Sequence, residues 1–192
     1  MIEKISRDIC LIKYRKLPLC EYEKVSDDDV NFHPEIHSFY WLKLEKEFEK
    51  KLPNQIVLLA KSLEINNLIF LGEMNKPWIS KFTESRKDYN PLIKAIEYFK
   101  IHKIEKRFNG GVKVESNELE NFIKRFYIIT RCDGGFFDYN FIDENENYLF
   151  YLHYSGELKV LTLNENANTN FLKAIKQTKF INSERESTNQ IE

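Results

Sequence analysis

Three short runs of aromatic and β-branched residues near the C-terminus constrain the fold of this chain most strongly. They cover 136–142, 148–153 and 157–163, and turn-forming residues separate them at 143–147 and at Ser155-Gly156. Runs of this length with such turns between them are typical of consecutive antiparallel strands, because strands joined by a short loop pair with each other. The sequence therefore predicts a three-stranded meander.

Alternation with a period of two separates the faces of these strands. In the first two runs, Phe137, Tyr139, Phe141 oppose Phe136, Asp138, Asn140, and Tyr148, Phe150, Leu152 oppose Leu149, Tyr151, His153. Aromatic residues fall on both faces, which is more than one packed core requires. We therefore expect some of these rings at the surface.

Helical spacing dominates the region before the meander. Apolar residues recur at i, i+4 over 36–48, after Pro34 and before Pro53, which predicts an amphipathic helix. Two further helices are predicted over 92–104 and 119–129, the last with a capping box formed by Asn117 and Glu120.

Shorter elements complete the prediction. The stretch 55–65 fits either a helix or a strand, and Asn54 as a possible cap favours the helix. Strands are expected over 9–14, 68–71 and 112–115, the acidic stretch 20–31 as a loop, and a last helix over 171–179.

The chain of 192 residues is long enough for one core, and neither a repeat nor a linker divides it. We predict a single α+β domain over 1–182, followed by a flexible polar tail over 183–192. In this fold several amphipathic helices pack on a small, mostly antiparallel sheet that includes the C-terminal meander, and a final helix follows.

Charge is distributed unevenly although the formal net charge is −1. The segment 133–158 contains six acidic residues, eight aromatic residues and neither Lys nor Arg, whereas 81–107 contains eight bases and four acids. Tyrosines beside carboxylates are typical of surfaces that bind a basic protein. The predicted partner-binding residues are Asp138, Tyr139, Asp143, Glu144, Glu146, Tyr151 and Tyr154.

These features predict a non-enzymatic, cytoplasmic binding protein. The partner would be a basic protein, such as a bacterial toxin, and the chain would be its immunity-type inhibitor. The mixed charges of the first residues predict no secretory leader, and no apolar run reaches membrane-spanning length. Three cysteines without a CxxC pair fit reduced thiols. We expect no cofactor and no membrane partner.

Two alternatives from other functional classes stay open. Cys132 and His153 could serve a small hydrolase or a ligand-binding protein, and His33 with His37 one turn apart could hold a metal ion. The basic region 81–107 could bind nucleic acid, although the balanced net charge makes that class a poor fit.

Overall fold

A computed structural model describes residues 1–23, 28–73, 76–105, 107–133 and 139–191, with the backbone alone for 19–23 and 28–32. It confirms the predicted single-domain α+β fold. The described helices are α1 (Arg7–Lys13), α2 (Leu52–Ser62), α3 (Lys81–Ser85), α4 (Asn90–Ile101), α5 (Leu119–Cys132) and α6 (Glu165–Ala174). Two 3-10 turns cover Lys46–Lys51 and Ile175–Gln177.

The described strands form one large sheet and one separate hairpin. They are β1 (Ile2–Ile5), β2 (Leu19–Glu23), β3 (Asp28–Phe32), β4 (Ser38–Leu44), β5 (Asn67–Leu71), β6 (Gly111–Glu115), β7 (Asn140–Asp143), β8 (Tyr148–Leu152), β9 (Leu158–Thr162) and β10 (Phe180–Asn182). The large sheet has the order β1-β6-β5-β7-β8-β9-β4-β10, with antiparallel neighbours throughout, and β2 pairs with β3. The predicted meander is present as β7–β8–β9.

The main core lies between one face of the sheet and helices α2, α4, α5 and α6. Phe70 on β5 stands at its centre, with its ring 4.7 Å from that of Phe141 on β7 and 4.7 Å from that of Phe122 on α5. All three rings are fully buried. The helices fold over this face because each presents an apolar stripe that the sheet removes from water.

A second, smaller core lies on the opposite face of the sheet, where α1 covers part of it. Cys10 and Tyr14 on α1 pack on a set of sheet residues that includes Ile69, Ile142 and Leu149. The same cluster also includes Leu161 and Leu163, and Phe39 of β4 packs against it. Two cores explain why both faces of the meander carry aromatic and aliphatic residues.

The prediction of a helix over 36–48 is wrong, because Ser38–Leu44 forms strand β4. Its alternate residues Ser38, Tyr40, Leu42 and Leu44 are buried. A spacing of four is a multiple of two as well as close to the helical repeat, so the i, i+4 stripe fits both structures. The aromatic residues of this segment favour the strand.

Other boundaries also differ from the prediction. Most of the 9–14 segment lies in helix α1, which ends at Lys13, and the expected loop over 20–31 contains most of the paired strands β2 and β3. Pro53 stands in the first turn of α2 instead of ending a helix, and α6 begins at Glu165, where Asn164 accepts a hydrogen bond from the N–H of Ala167 at 2.8 Å. The helix prediction for 55–65 is confirmed by α2.

The expected capping box on α5 is absent from the described structure. Asn117 accepts a hydrogen bond from the amino group of Met1 at 3.1 Å, and Glu120 accepts one from Asn54 at 3.0 Å. Both side chains are therefore used in contacts between distant segments, and Glu118 occupies the cap position without a side-chain hydrogen bond.

The segment predicted to be a flexible tail runs along the outer side of β4. Ser183 N–H donates to the carbonyl of Trp41 at 2.8 Å, and Thr188 N–H donates to that of Phe39 at 3.1 Å. Ile191 exchanges two hydrogen bonds with the side chain of Asn182. Described residues up to 191 thus extend the edge of the sheet.

Replacing Phe70 by Ala tests the packing of the main core. The substitution removes a fully buried ring, so we expect a loss of about 4 kcal/mol in the free energy of unfolding. Urea unfolding followed by circular dichroism measures it. Phe82→Ala is the matched control, because Phe82 is 74% exposed and should change stability by about 0.5 kcal/mol or less. Equal effects of the two substitutions would contradict this assignment of the core.

Candidate protein-binding surface

Five of the seven predicted site residues fall at the two ends of strand β8. Asp143, Glu144 and Glu146 lie in the turn before it, whereas Tyr151 lies near its end and Tyr154 in the turn that follows. A five-residue strand spans roughly 17 Å, so the two groups do not form one compact site. Asp138 lies outside the described residues.

Asp143 is buried and holds the β7–β8 turn together. Its carboxylate accepts hydrogen bonds from the N–H groups of Asn145, Asn147 and Tyr148 at 3.1, 2.7 and 2.6 Å. Burial raises the pKa of this carboxyl, while the backbone donors act to lower it. The side chain is only 3% exposed and is therefore a turn-forming group out of reach of a partner.

Glu144 is bound by cations of this chain. It accepts a hydrogen bond from Lys113 Nζ at 2.7 Å and one from Asn67 at 2.7 Å, and Lys13 Nζ lies 3.9 Å away. The hydrogen bond from Lys113 is the main cause that lowers the pKa of Glu144. The negative charge of this residue is thus largely balanced within the fold.

Glu146 is likewise engaged by a residue more than a hundred positions away. Its carboxylate accepts a hydrogen bond from the N–H of Lys16 at 2.8 Å, and Lys16 Nζ donates to its backbone carbonyl at 3.1 Å. Lys16 follows α1, so this contact and those of Glu144 join the turn to the segment that covers the second core.

Tyr139 lies in the main core and is 3% exposed. Its ring is 4.6 Å from that of Trp78 and 5.9 Å from that of Phe126. The alternation that places Phe141 in the core also places Tyr139 there, two residues earlier. Tyr139 therefore does not belong to an exposed surface.

Tyr151 lies beside Trp41 of β4, and the ring of Tyr154 lies 4.2 Å from that of His153 after the end of β8. Tyr154 is 51% exposed and Tyr151 is half-buried. We call this surface the aromatic face. It consists of Phe39, Trp41, Tyr151, His153, Tyr154, Lys159 and Arg185.

Trp41 is at the centre of the aromatic face. Its ring centroid lies 6.0 Å from that of Tyr151 and 6.2 Å from that of His153, both nearly perpendicular to it. Lys159 Nζ lies 5.6 Å from Trp41 and 4.8 Å from Phe39. Desolvation lowers the pKa of Lys159, and the electron-rich ring faces offset part of that loss of hydration.

Glu157 fixes the edge of the aromatic face through three donors. It accepts hydrogen bonds from Arg185 Nε at 2.8 Å, from Ser155 Oγ at 2.8 Å and from the hydroxyl of Ser183. Desolvation acts to raise the pKa of Glu157, but these donors outweigh it and the pKa is lowered. Arg185 is thereby held 4.7 Å from the ring of Trp41.

His153 lies next to this carboxylate. Its Nδ1 is 2.6 Å from Ser155 Oγ and 3.3 Å from the guanidinium of Arg185. Desolvation and the neighbouring arginine lower the pKa of His153, although Glu157 acts in the opposite direction. The imidazole is therefore mostly neutral near pH 7 and serves as an aromatic and hydrogen-bonding group.

Sequence reasoning missed Trp41, Lys159 and Arg185. Trp41 lay within a segment predicted to be a helix, and Arg185 lay in the predicted tail. The alternation of Phe39, Trp41 and Lys43 with buried residues is the signal that would have placed Trp41 on an outer sheet face.

The residues of the catalytic alternative are not assembled as a nucleophile and base. Burial is the main cause that raises the pKa of the Cys132 thiol, which opposes thiolate formation. His153 contacts a different set of residues, namely Trp41, Tyr151, Tyr154, Ser155, Glu157 and Arg185. Cys132 instead lies beside Arg86, whose guanidinium donates to its backbone carbonyl at 3.3 Å.

His33 and His37 precede and border strand β4. His33 is exposed, and His37 Nδ1 lies 3.1 Å from the hydroxyl of Ser38. Among the described residues, no group of three or more His, Cys, Asp or Glu side chains is arranged to hold a metal ion.

Some of the basic residues in the region 81–107 form ion pairs with acidic residues of the same region. Lys100 forms an ion pair with Glu84 at 2.7 Å, and Arg86 forms one with Asp88 at 2.8 Å. Lys106 lies outside the described residues. These pairs reduce the positive charge available to a phosphate backbone.

No protein-family model, no curated protein and no solved structure matches the chain significantly. Within the described ranges, none of the helices combines the length and the apolar character needed to cross a membrane.

Substitution of Asp143 tests its structural role. Asp143→Ala leaves three backbone donors without their acceptor, so we expect the unfolding free energy to fall by about 3 kcal/mol. Asp143→Asn keeps one acceptor oxygen and should cost less. Asn145→Ala is the control, because that side chain is exposed. Chemical unfolding of the three variants measures the differences, and an Asp143→Ala variant as stable as the parent would refute the role.

Glu157→Gln tests whether this carboxylate holds the C-terminal segment. We expect amide exchange at Ser183 and Thr188 to accelerate about tenfold, because a charge-assisted contact of 1.5–3 kcal/mol is weakened. NMR-detected exchange near pH 6 measures it, and Glu184→Gln, whose side chain is 94% exposed, is the control.

Protonation of Glu157 in acid should weaken the same contact with the C-terminal segment in the parent chain. The pKa of Glu157 is lowered in the folded chain. Its contribution to stability is therefore present above the ordinary glutamate pKa of about 4.3, and it is lost as the pH falls through the lower pKa of the folded state. The Nε–H resonance of Arg185, followed in an NMR titration, should shift in that window. A resonance that titrates above pH 5 would contradict the lowered pKa.

Proposed function

We propose that the chain is a non-enzymatic protein-binding module that docks its partner on the aromatic face. The single observation that carries this proposal is that Trp41, Tyr151, Tyr154 and Arg185 are grouped together and that each is partly or largely exposed. Trp, Tyr and Arg are the residues that most often dominate binding energy at protein interfaces, because they combine large contact area with polar groups.

The rigidity of the surface also supports binding. Trp41, Tyr151 and Lys159 are on neighbouring strands, and Arg185 is fixed by Glu157. Side chains already held in one arrangement lose little conformational entropy when a partner covers them. A partner would therefore gain contact with the aromatic face at a small ordering cost.

The narrower hypothesis is an immunity-type inhibitor of a basic protein such as a bacterial toxin. Its support is the pair Glu144 and Glu146, which lie at the other end of β8. Partly exposed ion pairs contribute about 0–1 kcal/mol, so an arginine of a partner can displace Lys13 from Glu144 at little cost. A standard interface covers about 800 Å² on each partner and reaches both ends of the strand.

A binding assay with the product of the neighbouring gene tests the module and the surface together. We expect a complex whose Kd rises about thirtyfold in Trp41→Ala, since an interface hot spot contributes about 2 kcal/mol. Calorimetry on the purified pair measures it. Phe82→Ala and Tyr89→Ala are matched controls, because both rings are exposed elsewhere, at 74% and 45%.

A charge-reversed double variant tests whether Glu144 and Glu146 attract a basic partner. Glu144→Lys with Glu146→Lys should slow association with a basic partner and reduce its salt dependence, without changing Trp41 contacts. Asp143 is left unchanged because its substitution would disrupt the turn. Full binding by both the Trp41→Ala chain and the doubly reversed chain would reject this surface.

A further inference from the structure

A groove on the far side of the β8–β9 turn from the aromatic face has the size of a small-molecule site. It has a volume of about 600 Å³ and lies between the end of β4, the start of α2, one face of α5 and the turn itself. Small-molecule sites in proteins usually measure about 300–1,000 Å³. Neither the proposed docking surface nor the core uses this space.

The inner wall of the groove is apolar. Leu52 and Pro53 at the start of α2 are buried there, and Tyr127 and Ile128 contribute half-buried surface from α5. Gly156 closes one end with φ +94°, and a Cβ at this position would lie 2.8 Å from Tyr127 Oη. The turn therefore approaches the tyrosine as closely as a residue without a side chain allows, and an apolar ring fits against this wall.

The acidic residues of the groove are mostly engaged. Glu157 accepts hydrogen bonds from Arg185, Ser155 and Ser183, and Glu120 accepts one from Asn54. Glu49 is the remaining acid and is exposed. Three carboxylates therefore line the groove against four cations, and two of the three are engaged by hydrogen bonds.

The cations of the groove are less engaged. Lys50 and Lys124 are exposed, and neither forms an ion pair with a carboxylate in the described part of the chain. Arg131 lies 5.8 Å from the ring of Tyr127, and Lys43 is paired only with Glu184, which is 94% exposed. Four cations converge on an apolar wall from three different elements.

We propose that this groove binds a small anionic molecule with an apolar ring, its carboxylate or phosphate held by Lys50, Lys124 and Arg131. The ring packs on Pro53 and Tyr127, and the anion replaces the water around the lysine amino groups with charge-assisted hydrogen bonds. This proposal does not rest on the docking surface, because Lys50, Lys124 and Arg131 are not part of the aromatic face, although Glu157 at the edge of that face also lines the groove.

NMR titration of the full chain with benzoate, phenyl phosphate and benzyl alcohol tests the proposal. The three probes share a ring, and only the first two carry a negative charge. We expect the anions to shift the Gly156 amide and Tyr127 ring resonances in a saturable way, and benzyl alcohol to shift them little. A tighter fit of phenyl phosphate would assign the anion as phosphate, and a tighter fit of benzoate would assign it as carboxylate.

A pair of double variants identifies the binding groups. Lys50→Gln with Lys124→Gln should raise the Kd for the bound anion about tenfold, the loss expected for charge-assisted contacts. Lys61→Gln with Lys176→Gln removes the same charge at exposed positions outside the groove and should change Kd less than about twofold by screening. All four lysines are exposed, so unchanged amide spectra should verify the fold.

Three outcomes would overturn the proposal. They are equal binding of benzyl alcohol and the anions, equal losses in the two double variants, and shifts confined to residues outside the groove. The Trp41→Ala chain distinguishes the two sites. It should bind benzoate and phenyl phosphate as the parent chain does, even where it no longer binds its protein partner.

Discussion

One row of buried side chains crosses six strands of the sheet, and the rest of the structure depends on it. The row consists of register partners on β6, β5, β7, β8, β9 and β4, namely Val112, Phe70, Phe141, Phe150, Val160 and Tyr40. Each is 2% exposed or less. Stacked rings such as Phe141 and Phe150, 5.2 Å apart, add specific aromatic contacts to the area that they bury.

This row also determines the aromatic face. The neighbouring positions on β7, β8, β9 and β4 are Asn140, Tyr151, Lys159 and Trp41, which are register partners on the opposite side of the sheet. A slip of one residue would exchange the two sets and expose the aromatic core. The surface proposed for binding is therefore a consequence of core packing, because the same hydrogen bonds fix both rows.

Regular local patterns made much of the fold predictable from the sequence. The meander has turn residues and alternation in consecutive segments, and helices α4 and α5 have stripes that only the helical period explains. Strand β4 was misassigned because a spacing of four residues satisfies both periods, and β10 was missed because three residues carry no period at all. Its pairing with β4 depends on residues that are far apart in sequence.

The candidate site was less predictable than the fold, because the charge along one segment does not show which distant residues will pair with it. The base-free segment 133–158 suggested an acidic surface, yet Glu144 is paired with Lys113 and Lys13, and the carboxylate of Glu146 accepts a hydrogen bond from the backbone N–H of Lys16. These cations come from elements that the sheet topology brings to the turn, which no local pattern records. The positions of Tyr151 on the outer face of β8 and of Tyr154 in the following turn were predictable, because alternation and a turn are local signals.

The carboxylates before and after β8 have different roles. Glu144 forms replaceable surface ion pairs, whereas Glu157 holds the side chains of the aromatic face in one arrangement. Glu144 is partly exposed in a pair of ordinary surface type, so solvent or a partner exchanges with its lysines at little cost. Glu157 receives three donors from side chains and holds Arg185 against Trp41. The C-terminal segment is therefore a structural part of the aromatic face, because the position of Arg185 against Trp41 depends on its contact with Glu157.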